Sequence, residues 1–255
     1  MNCSFCKIST TKISLKKFEW FFCSNCNSYY KGKKNTYTYL LELLYFFLKF
    51  QTGKFYQYNH LYFNEESLKG NKKYNFLNRN IKRFNFFKAL DLSGAPFNVC
   101  LTLKKTKKLK DVTFTAYNDN VINLLKNKYK HKFFYCDFEK NHTFSLNNSY
   151  NLIIAWMCLY YSKNLKEVLA NINKLSEKKS TMIISSPEPT LKTIKYFDST
   201  HIYPPNIFFS KKILVKLMSK NNFKLTKSEY SKKIYDQNFK SYSRNFNLIF
   251  KKKIN

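Results

Sequence analysis

Short apolar runs alternate with amphipathic stretches from residue 87 to the end of the chain. The apolar runs have the length of buried strands, and the stretches between them carry apolar residues at helical spacing. The predicted strands are FKALDLSG, DVTFTAY, KFFYCDF, YNLIIAW and STMIISSP, and the predicted helices are NVCLTLKKTKKL, NVINLLKNKY, LKEVLANINKLSEK and SKKILVKLMSKNN. Strands that alternate with helices predict an α/β domain with a mostly parallel sheet.

The last two apolar segments, FKLTKSEYS and RNFNLIFKKK, are predicted to pair as antiparallel strands. In an open sheet of this kind, ligands bind beyond the carboxyl ends of the parallel strands, at the point where the strand order reverses. Candidate functional residues are therefore expected where the predicted strands end.

Residues 27–88, which precede most of the alternating region, are predicted to be mostly helical and are rich in aromatic residues. Asn64 suits an N-cap, because acidic residues follow it in the first turn of a predicted helix. The most apolar run, Tyr39 to Phe50, is too short to span a bilayer, which takes about 20 residues, and Glu42 interrupts it. It predicts a buried or interfacial helix, and no transmembrane segment is expected.

Four cysteines near the N-terminus form two pairs with the spacing of metal ligands. Cys3 and Cys6 form one C-x2-C motif, Cys23 and Cys26 form another, and the sixteen residues 7–22 separate them. Two such pairs can complete a tetrahedral, closed Zn²⁺ site of the structural kind. A segment this short cannot bury a core, so metal binding would supply its folding free energy. The pattern predicts a zinc ribbon, and two chance pairs or a redox pair are the alternatives.

The remaining cysteines, Cys100, Cys136 and Cys158, lie in apolar contexts and are predicted to be core residues. This usage of cysteine suits a reducing compartment better than a disulfide scaffold. The first residues are polar and do not form a signal peptide. A cytoplasmic protein is therefore expected.

The chain of 255 residues is strongly basic, with 46 Lys and Arg against 15 Asp and Glu and a formal charge of +31. This balance favours polyanionic partners, nucleic acid among them. The lysines are dispersed, however, and the enriched residues Lys, Asn, Phe, Tyr and Ile all have A/T-rich codons, so mutational bias is the competing explanation. The sequence gives no indication of the oligomeric state.

The segment LDLSGAPF, residues 90–97, joins a hydrophobic strand to an acid, Asp91, and then to a tight turn. Together with the order of strands and helices over about residues 60–253, it resembles the first motif of class I S-adenosylmethionine (SAM)-dependent methyltransferases. The resemblance implies SAM as the cofactor and a Rossmann-like sheet. The implied organisation is a zinc ribbon at residues 1–35, a helical segment at 36–85 and the methyltransferase domain at 86–255.

The resemblance places the turn against the methionine part of the cofactor, where glycine permits a close approach of the backbone. The cofactor contacts that it implies in this loop are Asp91, Ser93, Gly94, Ala95 and Pro96. Phe97 departs from the family pattern, because glycine is preferred at its position and a bulky residue at positive φ is strained.

Two further strand ends match the family in part. The family places an acid for the ribose hydroxyls at the end of the second strand, but this position falls on Ala116 or Tyr117, with Asn118 or Asp119 in the next turn as a substitute. After the third strand, Asp137 and Phe138 match the pair that binds the adenine amino group and flanks the adenine ring. The resemblance therefore implies cofactor contacts at Tyr117, Asp119, Asp137 and Phe138.

The fourth strand resembles the segment that leads into the active-site loop, although Asn151 replaces the usual Asp. The resemblance places Trp156 near the cofactor and places Tyr160 and Tyr161 near the mouth of the substrate site. For Trp156, an ordinary core position is the alternative.

The segment after the fifth strand resembles the late part of a ribbon-bearing bacterial subgroup, with His201, then Phe209-Ser210 opening a helix, then Asn222-Phe223. Ser210 suits an N-cap, and Asn222 suits the left-handed position at a helix C-terminus. His201 is the best candidate for a general base, because its pKa lies near neutrality, although a surface histidine is the alternative. Tyr160, Tyr161 and Glu188 are weaker candidates.

Three functional hypotheses follow. The first is SAM-dependent methyl transfer to a small-molecule or glycan-precursor acceptor, which the resemblance to the ribbon-bearing subgroup implies. The second is methylation of RNA, which the positive charge favours. The third is a catalytically inactive binding or scaffold protein, which the departures at Ser93, Phe97 and Asn151 favour.

Overall fold

The computed structural model describes residues 1–34, 44, 71–81, 87–92, 98–106, 108–116, 132–135, 149–200, 205–231, 234–236 and 241–253, and all structural statements below refer to these residues. Within them, no helix is long and apolar enough to cross a membrane.

The N-terminal segment forms an antiparallel sheet from strands β1 (Thr11–Ser14), β2 (Phe18–Cys23) and β3 (Ser28–Lys34). A fourth strand, β9 (Ile207–Phe208), comes from the other end of the sequence and pairs antiparallel with β3. The prediction of a mostly helical region from residue 27 onward is thus wrong for residues 28–34. Aromatic residues favour strands, and here β2 and β9 supply partners on both sides of β3.

The main domain alternates strands and helices. Its strands are β4 (Phe87–Leu92), β5 (Leu109–Ala116), β6 (Lys132–Tyr135), β7 (Tyr150–Trp156), β8 (Ser176–Pro187), β10 (Phe223–Tyr230), β11 (Ile234–Asp236), β12 (Ser241–Ser243) and β13 (Asn245–Lys252). Its helices are α1 (Lys72–Asn80), α2 (Asn98–Lys105), α3 (Leu165–Lys174), α4 (Leu191–Thr200) and α5 (Lys211–Lys220), and a 3-10 turn spans Leu159–Tyr161. Strands β11 and β12 form a separate two-stranded hairpin.

Seven strands form the main sheet in the order β10-β13-β8-β7-β4-β5-β6. Neighbours from β8 to β6 are parallel, and β13 runs antiparallel to both β8 and β10. This is the predicted Rossmann-like sheet of a class I methyltransferase, mostly parallel with an antiparallel C-terminal strand. The chain adds β5 and β6 on one side of β4 and then places β7 and β8 on the other side. The strand order therefore reverses between β4 and β7.

Both faces of the central strands are buried, as expected for a parallel sheet that is covered by helices. Leu90 and Ile153 belong to a core cluster that continues through Phe208 to Trp20 of the N-terminal sheet. Ala89 and Ile154 belong to the cluster on the opposite face, which helices α1 and α2 cover. The N-terminal sheet therefore shares one hydrophobic core with the main domain.

Most predicted elements of the main domain are confirmed, including the antiparallel pair of β10 and β13. Ser210 caps α5 by accepting a hydrogen bond from the backbone N–H of Ile213, and Asn222 has φ of 62°, both as predicted. The predicted helix LKEVLANINKLSEK ends earlier, at Lys174, because Ser176 already starts β8. Helix α4 and strand β9 were not predicted.

Four predictions fall wholly or mostly on residues outside the described ranges. They are the N-cap at Asn64, the helix NVINLLKNKY, the core position of Cys136, and the apolar helix over residues 39–50, of which only Leu44 is described. Within the described residues, helix α1 begins after Asn71, whose side chain accepts a hydrogen bond from the backbone N–H of Tyr74.

Candidate functional site

The four N-terminal cysteines converge. Their Sγ atoms all lie within 4.8 Å of one another, with 3.5 Å between Cys3 and Cys26 and 3.4 Å between Cys6 and Cys23. A tetrahedral Zn²⁺ ion with Zn–S bonds of about 2.3 Å separates its sulfur ligands by about 3.8 Å. The donor set therefore fits a zinc ion of the structural type.

Local hydrogen bonds polarise this cluster. The Tyr30 hydroxyl and the Cys3 sulfur lie 3.0 Å apart, and the backbone N–H of Phe5 donates to the same sulfur. Burial opposes ionisation of Cys3, but these donors outweigh it and lower the pKa of Cys3 to about 6. Burial raises the pKa values of Cys23 and Cys26. Of the four thiols, Cys3 is therefore the one whose surroundings favour the thiolate. A bound cation would favour the thiolate form of the other three as well.

A buried aspartate connects the ribbon, residues 1–34, to the main domain. Asp198 of α4 is only 1% exposed, and it accepts hydrogen bonds from Trp20 Nε1 and from the backbone N–H of Lys17, both at 3.0 Å. A buried carboxylate is costly unless such donors satisfy it. The two bonds therefore fix the ribbon against α4 in one orientation.

The ribbon also contacts the turn that follows β7. The backbone N–H of Lys31 donates to the carbonyl of Asn206, and the Asn206 backbone N–H donates to the carbonyl of Tyr160. The Asn206 side chain donates to the carbonyl of Tyr161, and Ser210 Oγ donates to the carbonyl of Cys26 at 2.7 Å. The ribbon, the 3-10 turn and the start of α5 are consequently joined by hydrogen bonds.

At the carboxyl end of β4, Asp91 is completely buried and paired. Its two oxygens accept hydrogen bonds from Lys73 Nζ at 2.9 and 2.7 Å, and Cys100 Sγ donates to one of them at 3.1 Å. Burial disfavours the charged ammonium, but the Asp91 carboxylate outweighs it, so the pKa of Lys73 is raised. Burial and the Asp91 charge raise the pKa of Cys100 well above its usual value.

The end of β7 lies beside the end of β4, since Ala155 pairs with Leu92. Trp156 is 9% exposed and its ring lies 5.6 Å from that of Phe76 on α1. Met157 follows with φ of 55°, a left-handed backbone that is uncommon for a residue other than glycine. Such strain often accompanies functional positions, and here it occurs directly after the last residue of β7.

Tyr160 and Tyr161 differ in their surroundings. Tyr160 is 4% exposed, it stacks on Phe208 and contacts Phe197, and burial raises its pKa well above the usual value. Tyr161 is only partly buried, and its ring lies 4.7 Å from that of Tyr160. Of the two, Tyr161 is the better placed to meet a ligand.

Asn151 and Glu188 both have partners inside the protein. Asn151 Oδ1 accepts a hydrogen bond from the backbone N–H of Lys88 at 2.7 Å, which joins the first parts of β7 and β4. Glu188 forms a two-pronged ion pair with Arg244, whose guanidinium lies 4.2 Å from the ring centre of Tyr230. Asn151 therefore stabilises the sheet, and Glu188 is engaged by a cation.

Several predicted site residues lie outside the described ranges, so their positions in space are not described. They are Ser93, Gly94, Ala95, Pro96, Phe97, Tyr117, Asp119, Asp137, Phe138 and His201.

A groove of about 590 Å³ lies between the ribbon and the main domain. Asn25 and Asn27 line its ribbon side, and Glu188, Lys211 and Tyr230 line its other side. Glu188 follows β8 directly, so the groove opens at the edge of the sheet that carries the carboxyl ends of the parallel strands. Its volume falls in the range of small-molecule sites.

The conserved sequence pattern of one family, described as a methyltransferase domain, matches residues 47–228, which is most of the chain. The chain belongs to this methyltransferase-domain family. No curated protein matches it in sequence.

Solved structures of methyltransferases share the fold. The N-methyltransferase NodS from Bradyrhizobium japonicum, in complex with S-adenosylhomocysteine (SAH), has a TM-score of 0.55 at 12% identity, over 78% of this chain and 98% of that chain. The magnesium protoporphyrin IX methyltransferase from Synechocystis, with bound SAH, has a TM-score of 0.52 at 13% identity, over 74% and 83%.

A complex between the Haloferax volcanii Trm112 methyltransferase activator and a methyltransferase also matches. Its TM-score is 0.54 at 10% identity, over 73% of this chain and 94% of that chain. At these identities, the likeness of all three structures shows the fold.

Two residues of this methyltransferase domain that connect parts of the structure, Lys73 and Asp198, were not predicted from the sequence. The sequence contains an indication that Lys73 is buried, because it shares one face of a helix with Phe76 and Leu77 at spacings of three and four residues. In the structure, all three are buried. Asp198 had none, since its partner Trp20 lies 178 residues away in the sequence.

Proposed function

We propose that this chain is a SAM-dependent methyltransferase whose acceptor is a small molecule or a glycan precursor. The observation that carries the proposal is the reversal of strand order between β4 and β7, which in open α/β sheets marks the ligand site. Membership of the methyltransferase-domain family supports the choice of SAM as the ligand.

The cofactor would lie beyond the ends of β4, β5 and β6, with Trp156 beside it. The segment from Ser93 to Pro96 and the residues Asp137 and Phe138 remain the proposed contacts, on the strength of the resemblance. When bound, SAM supplies an activated methyl group on a sulfonium. The chain's task is then to orient the acceptor atom in line with this group and to receive the acceptor's proton where one is released.

Two side chains are proposed to serve the acceptor. Tyr161 follows β7, it is partly buried, and its backbone carbonyl is held by Asn206. His201 is the proposed general base, because a neutral imidazole can take a proton near pH 7. The paired carboxylate of Glu188 is a weaker candidate than His201.

The groove between the ribbon and the main domain supports a small acceptor over a polymeric one. Its volume of about 590 Å³ suits a small molecule. The lining contains the amide side chains of Asn25 and Asn27, which can both donate and accept hydrogen bonds, and the aromatic ring of Tyr230. Polar groups of this kind suit a hydroxyl-rich acceptor.

The four cysteines are proposed to bind a structural Zn²⁺ ion. The distances between their sulfur atoms and the two C-x2-C motifs support this. All four positions around the ion would be filled by thiolates, so this ion would stabilise the ribbon and take no part in methyl transfer.

The first test is calorimetric titration of the zinc-loaded protein with SAM and with SAH. We expect micromolar binding of both, and we expect Asp137→Ala to weaken it by at least about tenfold, since it removes a charged hydrogen-bond acceptor. Asp111→Ala is the matched control, because Asp111 lies at the opposite end of its strand from the carboxyl edge. Folded wild-type protein that binds neither ligand at about 1 mM would contradict the proposal.

The acceptor class needs a separate test. Transfer of labelled methyl groups from SAM is measured with nucleotide-linked sugars and with total RNA as acceptors. Transfer to the sugars supports the proposal. Transfer to RNA that falls steeply with salt would favour the RNA hypothesis instead, because phosphate contacts release counterions. SAM binding without any transfer would favour a binding or scaffold protein.

A further inference from the structure

A buried lysine lies beneath the proposed cofactor site. Lys73 is 1% exposed and forms an ion pair with Asp91, which is 0% exposed. A buried ammonium survives only with a partner of opposite charge, and here both carboxylate oxygens fill that role. Apolar residues could fill the same space without the cost of burying two charges, so stability alone does not explain the pair.

The pair and Cys100 lie on three different elements, two of which flank one segment in the sequence. Lys73 lies on α1, Asp91 is the last residue but one of β4, and Cys100 lies on the first turn of α2. Residues 93–97, which resemble the cofactor loop, are the link between β4 and α2. The three side chains thus join the strand before this link to the helix after it.

Each oxygen of Asp91 accepts a hydrogen bond from Lys73, and one oxygen also accepts the Cys100 thiol. These contacts hold the carboxylate in a single rotamer, with its charge balanced by the ammonium. Cys100 stays a neutral donor, because burial raises the pKa of its thiol. An acid at the end of β4 that was left without Lys73 would turn toward water or take up a proton.

We propose that Lys73 is a positioning residue for cofactor binding, which acts through Asp91 and thereby holds the end of β4 and the start of α2 in register. The inference rests on the proposed function, because it assigns Lys73 to the SAM site. The family match and the sequence motifs assign no role to Lys73.

The test is a double-mutant cycle for SAM affinity, measured by calorimetry on wild type, Lys73→Met, Asp91→Asn and the double variant. We expect Lys73→Met to raise the Kd of SAM by about tenfold or more, the size of one lost charged hydrogen bond. In the Asp91→Asn background, Lys73→Met should change the Kd by less than about twofold, because the carboxylate through which Lys73 acts is already absent. Lys73→Arg should recover part of the affinity, since it keeps the charge but changes the geometry.

The matched control is Lys108→Met. Lys108 Nζ also reaches α1, where it donates to the carbonyl and the side-chain oxygen of Asn78, whereas the side-chain donors to Asp91 described above are Lys73 and Cys100. We expect this variant to bind SAM like the wild type. Folded Lys73→Met that binds SAM like the wild type would overturn the inference, and so would an equal loss in the Asp91→Asn background.

Hydrogen exchange separates this inference from the proposed function. If wild-type protein does not bind SAM, the proposed function fails by itself. The exchange of backbone amides in residues 91–92 and 98–101 then reports on the pair, and we expect Lys73→Met to speed it up while Lys108→Met does not. Unchanged exchange in folded Lys73→Met would show that Lys73 does not hold these residues. If Lys73→Met alone fails to fold, exchange is measured in the double variant Lys73→Met/Asp91→Asn and compared with Asp91→Asn. The double variant leaves no unpaired charge in the core.

Discussion

The ribbon and the carboxyl end of β4 both enclose polar groups within apolar surroundings, but different interactions stabilise the two regions. Each is a small polar centre enclosed by apolar residues, with four cysteines in the ribbon and the pair of Lys73 and Asp91 below the sheet edge. The ribbon has little core of its own, so its geometry depends on the proposed ion and on docking against the main domain. The charged pair lies inside an extensive core that would persist without it. We therefore expect loss of the cysteine cluster to unfold the ribbon, and loss of the charged pair to destabilise the main domain without unfolding it.

The largest effect is expected from disruption of the four-cysteine cluster. Cys23→Ser removes one of the four sulfurs that are proposed to bind Zn²⁺, and zinc binding in small zinc-binding domains contributes about 10 kcal/mol or more at neutral pH. We expect residues 11–34 to lose protection from hydrogen exchange, while β8 and β13 keep theirs. Cys158→Ala is the control, because it removes a buried cysteine that lies outside the ribbon. Concerted loss of protection in both sheets would show that the main domain depends on the ribbon for its folding.

The next largest effect concerns the buried charged pair. Lys73→Met leaves a buried carboxylate without its cation and should lower the free energy of unfolding by about 3–5 kcal/mol. The double variant Lys73→Met/Asp91→Leu should recover most of this loss, because apolar residues can replace a buried ion pair. Urea unfolding followed by circular dichroism measures both. A double variant that is less stable than the single variant would contradict this account.

A smaller effect is expected where the two regions meet. Asp198→Ala removes the acceptor for the buried Trp20 Nε1 and for the partly buried backbone N–H of Lys17. We expect a loss of about 2–3 kcal/mol in thermal unfolding and a red shift of the Trp20 fluorescence. Asp111→Ala breaks the exposed pair with Lys132 and should cost less than about 1 kcal/mol. If Asp198→Ala were as mild as this control, the ribbon would be held by its apolar contacts alone.

The smallest effect is a dependence of stability on alkaline pH. Burial raises the pKa values of Cys100 and Tyr160 in the folded protein, so the unfolded chain releases protons that the folded chain retains. Stability should therefore be constant with respect to these groups below about pH 9 and should fall above it, by up to about 1.4 kcal/mol per pH unit for each group. Urea titrations at several pH values should give a shallower slope for Cys100→Ala. An identical slope would mean that Cys100 ionises equally in both states.

Much of the architecture was predictable from local patterns. The alternation of apolar and amphipathic segments identified β4, β5, β7, β8 and α5, because strand and helix periods are properties of neighbouring residues. Helix α4 was missed because its residues follow a proline-containing loop and lack acidic residues in the first turn. Strand β9 has only two residues, too few for any period to appear, and it exists because β3 offers an edge to pair with.

The candidate site was predictable in part. The spacing of Cys3, Cys6, Cys23 and Cys26 specified their convergence, because two short motifs can meet at one point in only a few ways. The resemblance to methyltransferases predicted Asp91 as a cofactor contact, and the structure places Asp91 at the carboxyl end of β4. Its partner Lys73 was not predicted, because a lysine on a basic, amphipathic segment is normally exposed to solvent.

The sequence by itself determined the alternation of strands and helices, the convergence of the four cysteines and the excess of positive charge. These features follow from periodicity, motif spacing and composition, which can all be read along the chain. Only the tertiary structure decided that β9 completes the ribbon sheet, that Asp198 receives Trp20, and that Lys73 neutralises Asp91. These contacts join residues that are far apart along the chain or whose types usually face water. Their existence depends on desolvation and on the exact packing of several elements, and those quantities arise only when the whole chain has folded.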